Sequence, residues 1–211
     1  MFRHLEQFDK IFRYAAVVSY VVMAAQNFRL WAFPQPDDQE SILTHSMLMA
    51  FEFVMVHSGL FMIIFSGSKK WFLILFVFYG VFAVAFNFAM PNTAIVYTYL
   101  FVVLNRFRFI FYEADKKAKF NMIIYSASVV VLYFVLTILF AGLADAIPPL
   151  GLSHQFLTDN YYFNDIHMSG LFVEKPHVGI ALSVFYFTAL ALIELRVIRN
   201  DGKLFGSKQV N

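Results

Sequence analysis

ILTHSMLMAFEFVMVHSGLFMIIFS, residues 42–66, is a stretch of 25 almost wholly apolar residues. At ~1.5 Å rise per residue that is enough to cross the ~30 Å hydrocarbon core of a bilayer. It nevertheless carries Glu52 and His57 on either side of its middle residue, Val54. An ionisable side chain at that depth costs on the order of 3 kcal/mol on insertion scales, so neighbouring helices must answer it. The segment is therefore expected at the centre of a helical bundle, with the remaining spans packed to shelter these two groups.

The composition agrees with that reading. Hydrophobic residues make up 60% of the 211-residue chain and charged residues 14%, far from soluble averages. The length fits one membrane domain, residues 1–211. The absence of cysteine removes disulfides, thiolate metal sites and cysteine nucleophiles together.

Outward from residues 42–66, the pattern predicts an all-α, polytopic transmembrane helical bundle of six spans. These lie at about 12–31, 42–66, 71–89, 93–112, 120–143 and 178–198, with one long loop at 144–177. Residues 1–13 are polar with apolar residues at helical spacing, which predicts a short helix along the membrane surface before span one. Ser41 is expected to cap span two, and Trp71 to sit at an interface as span three opens. Every Lys and Arg except Arg29 and Lys175 falls on the N-terminus, the basic connectors, the tail or the adjoining helix ends. By the positive-inside rule both termini are cytoplasmic and the loops that contain proline are external. With no organellar targeting segment in view, a bacterial cytoplasmic membrane is the expected location.

Two groups of side chains are candidates for chemistry. The first is an intramembrane polar cluster of Glu52, His57, Asn105 and Arg106. Five residues separate Glu52 from His57, about 7.5 Å along the axis and about 140° around it, so the two face different neighbours. Arg106 in span four lies near the depth of His57 and can reach toward Glu52, with Tyr79 and Asn87 of span three in reserve. This arrangement fits a proton- or ligand-handling site. It fits equally a buried polar contact that fixes helix packing, or an Arg106 that snorkels to the cytoplasmic surface. Glu194 and Arg196 are read as interfacial charges at the inner end of span six.

The second group is external: His45, His154, Asp165, His167 and His177. Imidazole and carboxylate bind Zn or Cu, and facing imidazoles can hold a haem iron. Their spacing matches no compact metal signature, so ordinary loop histidines are the stronger reading and no cofactor is favoured. The loop's Phe156, Tyr161, Tyr162, Phe163 and Phe172 suit either a cap over the helix ends or a partner's docking surface.

No nucleophile elbow, phosphate-binding loop or nucleic-acid stripe is present, and the basic residues are explained by topology and anionic lipid. The expected partners are membrane lipid and other membrane proteins, with no nucleic acid. Three functions stay open: a non-catalytic subunit or scaffold of a larger membrane assembly, which is favoured; a small transporter or proton-handling protein; and an outer-face metal or haem redox protein. The first leans away from an enzyme.

Overall fold

The structure, a computed structural model, describes residues 2–65, 68–88, 92–111, 116–160, 162–163 and 169–200; for 2–10, 12, 101, 104–111 and 116–118 it describes the backbone alone. The described residues form helices and no strands. Six helices are long: α1 (Phe2–Ala32), α2 (Gln39–Ile64), α3 (Lys69–Asn87), α4 (Ala94–Phe111), α5 (Lys116–Gly142) and α8 (Pro176–Arg199). Two short ones, α6 (His154–Asp159) and α7 (Leu171–Glu174), lie in the long loop. Among the described residues, four helices are long and apolar enough to cross a membrane: α2, α3, the Lys119–Gly142 part of α5, and α8.

Two boundaries differ from the sequence expectation. The surface helix and span one are a single helix, α1, because residues 2–32 contain neither glycine nor proline to break it. The cap position of α2 falls to Asp38 rather than Ser41. Asp38 closes a turn by accepting from the Gln35 N–H at 2.7 Å, and its own carbonyl accepts from the Ile42 N–H at 2.8 Å. That places Ser41 inside the first helical turn. Side-chain caps open the next two helices: Ser68 Oγ accepts from Trp71 N–H at 3.5 Å at the start of α3, and Asn92 Oδ1 accepts from Ala94 N–H at 3.0 Å at the start of α4. Pro176 stands in the first turn of α8, where its missing N–H costs nothing.

α2 is the hub. It packs against α5 and α8 on one side and against α3 and α4 on the other. Half of its most apolar stretch is buried, as is 56% of that of α8, whereas α3 and α5 bury only 17% of theirs. α1 lies antiparallel along α8 over most of its length, and this is the most extensive helix pair in the fold. α3 and α4 form a hairpin that leans on α2. The faces that α3 and α5 turn outward are apolar, with Leu73, Val77 and Val81 on one and Val131, Val135 and Ile138 on the other. In water such faces would be an aggregation hazard; against lipid tails they are at rest.

The described part of the long loop folds back as a cap over the ends of the helices. Leu152, Leu157, Tyr162 and Val173 are buried, and α7 packs against both α8 and α2. Two hydrogen bonds fasten the loop to the end of α1: Gly151 N–H donates to the Trp31 carbonyl at 3.0 Å, and Trp31 Nε1–H donates to the Pro148 carbonyl at 3.0 Å.

Candidate functional site

Among the described residues two carboxylates face neighbouring helices in the middle of the bundle, the half-buried Glu52 on α2 and the buried Glu194 on α8. Glu52 Oε1 accepts a hydrogen bond from the Tyr186 hydroxyl at 2.8 Å. Tyr186 is fully buried and meets the ring of Tyr133 edge to face at 5.7 Å. Tyr133, on α5, donates its hydroxyl to the Met49 carbonyl at 3.0 Å, one turn before Glu52. Two helices, α8 and α5, thus bring phenol side chains to this part of α2, Tyr186 to the carboxylate itself and Tyr133 to the backbone one turn away.

Glu194 is the residue whose partners sequence reasoning missed. It is 4% exposed, held between helices rather than standing free as a surface charge, and it joins three helices. Arg13 of α1 donates to its Oε1 at 2.8 Å, and Tyr125 of α5 donates to its Oε2 at 2.6 Å. No local pattern announces a partner 181 residues away. One signal was available: Ser183, Tyr186, Leu190, Glu194 and Val197 recur at three- and four-residue spacing and all five are buried, which assigns Glu194 to the packed face of α8. Arg196, two residues on, is exposed.

On α1 the ring of Tyr20 stacks on Phe187 of α8 at 6.3 Å.

His57 does not join Glu52. Its Nδ1 is 2.6 Å from the Phe53 carbonyl, which can only accept, so Nδ1 carries the proton. The ring sits between Phe53 at 4.4 Å and Phe134 at 5.3 Å. Asn105 and Arg106, the other members of the expected cluster, lie in the part of α4 whose side chains are outside the described residues. Asn87 Oδ1 is buried without a hydrogen-bond partner among the described residues. Along α3 and α4 runs an open groove of about 470 Å³, lined by apolar side chains and Tyr99. The Tyr99 hydroxyl donates to the Phe76 carbonyl.

At the opposite end of α1 the polar groups are engaged locally. Asn27 is fully buried, donates to the Met23 carbonyl at 2.8 Å, and presents Oδ1 to His45 Nδ1 at 3.2 Å. Arg29 grips Asp38 with two hydrogen bonds of 2.7 Å. Asn92 donates to Glu40 Oε1 and Thr44 Oγ1, both at 2.8 Å, tying α4 to α2. Lys175 pairs with Asp145. His154 packs its ring on Phe163 at 5.8 Å, His177 lies in the first turn of α8, and Asp165 and His167 are outside the described residues. Among the described residues, no three His, Asp or Glu side chains gather closely enough to hold a metal ion.

The Arg29 hydrogen bonds hold the Asp38 carboxyl below the usual carboxylate range, against a smaller opposing effect of burial. A carboxylate whose folded pKa is depressed stabilises the fold above its unfolded value and loses that contribution as pH falls through the folded one. Wild type is therefore expected to exceed Asp38→Asn in stability by a constant amount above about pH 5, with the difference shrinking below about pH 4. Thermal unfolding of both proteins in detergent across that range checks it. A difference that stays constant into acid would show that the ion pair contributes nothing.

No protein-family model, curated protein or solved structure matches the chain.

Proposed function

We propose that this chain is a non-catalytic subunit or scaffold of a larger membrane assembly, built as six spans with both termini in the cytoplasm of a bacterial inner membrane. One observation carries the reading: several polar side chains of the bundle tie one helix to another. Glu194 binds α8 to α1 and α5, Glu52 binds α2 to α8, and His45 binds α2 to α1. Such ties lock helix positions in lipid, where polar contacts replace the missing hydrophobic drive between helices. A fixed frame with apolar outward faces suits a protein that holds a place among others. The six-span topology is supported by the six long helices and by the charge distribution, although among the described residues only α2, α3, α5 and α8 meet the length and apolarity of a span by themselves.

The test is purification from the native membrane in gentle detergent, followed by mass spectrometry. Stoichiometric co-purifying membrane proteins are the expected result, and a lone protein overturns the subunit reading. Topology is checked separately, and cleanly, because the chain has no cysteine. Single cysteines placed at Pro36 and Leu150 are expected to react with a membrane-impermeant thiol reagent from outside, and one at Lys70 only after lysis.

A second reading, proton handling at Glu52 with His57 and Arg106, has one specific observation in its favour, the Tyr186 hydroxyl on the Glu52 carboxylate.

A further inference from the structure

We infer that the outward face around His57, where α2 meets α5, receives a transmembrane helix of another protein that brings a hydrogen-bond donor to the imidazole. The inference rests on the subunit reading and says which face the neighbour covers. His57 lies three residues from Val54, about 4.5 Å along the axis from the middle of the apolar stretch. Its Nδ1–H is spent on the Phe53 carbonyl at 2.6 Å, which leaves the Nε2 lone pair as an acceptor. Among the described residues nothing donates to Nε2. The ring's other contacts are the Phe53 and Phe134 rings, at 4.4 and 5.3 Å. The side chain is only half-buried, and Phe53, His57, Phe61 and Ile64 share one face of α2 by their four- and three-residue spacing. Phe53, Phe61 and Ile64 are exposed, as is Phe134 of α5 beside them.

The chemistry of that face narrows its occupant. A lipid tail has no donor to give, and a polar group left unmet in hydrocarbon is costly. A second copy across a two-fold axis does not meet the need either. Such a contact sets one patch against itself, and the described side chains around His57 on this face are Phe and Ile, none of them a donor. Two histidines in this tautomer would present acceptor to acceptor. A metal ion also takes an imidazole lone pair, but among the described residues no His, Asp or Glu group gathers with His57 to hold one. What fits is a helix apolar along its length with one hydroxyl or amide side chain at the depth of His57. A single donor in an apolar seam also sets register, because sliding by one turn, about 5.4 Å, breaks the bond.

The experiment uses the full chain in its native membrane, with a photo-crosslinking amino acid in place of Phe61, one turn from His57. The expected product is an adduct with a transmembrane helix of a second protein, and mass spectrometry of the joined peptide locates the donor. His57→Phe should lower the adduct yield about three- to tenfold, the scale of one interhelical hydrogen bond in lipid. His57→Gln, whose side-chain carbonyl is again an acceptor, should restore it. Replacing the located donor by an apolar residue should lower the yield as much as His57→Phe does, and the two changes together should lower it no further. Circular dichroism shows that each variant is folded. If other membrane proteins co-purify but Phe61 yields no protein adduct, or one that His57→Phe leaves unchanged, this inference falls and the subunit reading stands. An adduct with a second copy of the chain, or a haem band lost in His57→Phe, overturns it too. A protein that purifies alone overturns both.

Discussion

Arg13→Ala is expected to destabilise the folded bundle by about 3–5 kcal/mol, the cost of leaving a buried charge without its partner. The Glu194 side chain is 6% exposed and keeps only the Tyr125 hydroxyl among its described partners once the guanidinium is gone. One neutral donor does not replace an ion in surroundings of low dielectric constant. The converse variant, Glu194→Ala, should cost less, because Arg13 is four times as exposed as its partner and its long stem lets the cation reach water. The double variant Arg13→Met with Glu194→Leu should recover most of the loss, since a buried ion pair replaced by apolar groups of similar size is often neutral. Unfolding of all four proteins in one detergent gives the comparison. If both single variants lose less than about 1 kcal/mol, the pair is behaving as a surface salt bridge and the burial argument fails.

Gly151→Ala is expected to release the long loop from the end of α1. A Cβ at this position would stand 2.2 Å from Pro34 Cδ and 2.9 Å from the Ala32 carbonyl oxygen. One is a rigid ring and the other is backbone, so neither can rotate aside. The chain must shift, and the hydrogen bonds that join Gly151 to Trp31 and Trp31 to Pro148 shift with it. Overpacking of this kind costs about 1–3 kcal/mol. Here it should be concentrated in the cap, leaving the contacts of α2 and α8 in place. Limited proteolysis between Leu143 and Ser153 should be markedly faster in the variant, with a smaller change in global unfolding. Unchanged cleavage would mean that the loop is not held by this contact.

Much of the architecture could be read from the chain because membrane helices are dictated by length and apolarity, which are local properties. α2 was identified as the centre from its ionisable pair, and it is the helix that touches both halves of the bundle. What local pattern could not supply was which helix answers which charge. Glu52 is met by Tyr186 of α8, and nothing in residues 42–66 favours α8 over α4. Arg13 was assigned to a surface segment, whereas α1 is continuous through it and carries the guanidinium to Glu194. The Asp38 boundary was missed for a similar reason. Ser41 is a good cap by type, but the carboxylate of Asp38, held by Arg29 and the Gln35 amide, fixes the turn three residues earlier. The aromatic loop reads from the sequence as either a cap or a docking surface; burial of Leu152, Leu157 and Tyr162 shows that its described part covers the helix ends.

The two tryptophans stand at opposite ends of α2 and in opposite circumstances. Trp31 is 8% exposed and bound to the loop, while Trp71 is 51% exposed beside Phe65 at 5.6 Å. Intrinsic fluorescence of the protein is therefore the sum of two unlike emitters. One is a sheltered indole whose light reports the integrity of the cap. The other is open to whatever surrounds the bundle, so that quenchers carried by lipid separate the two without any label.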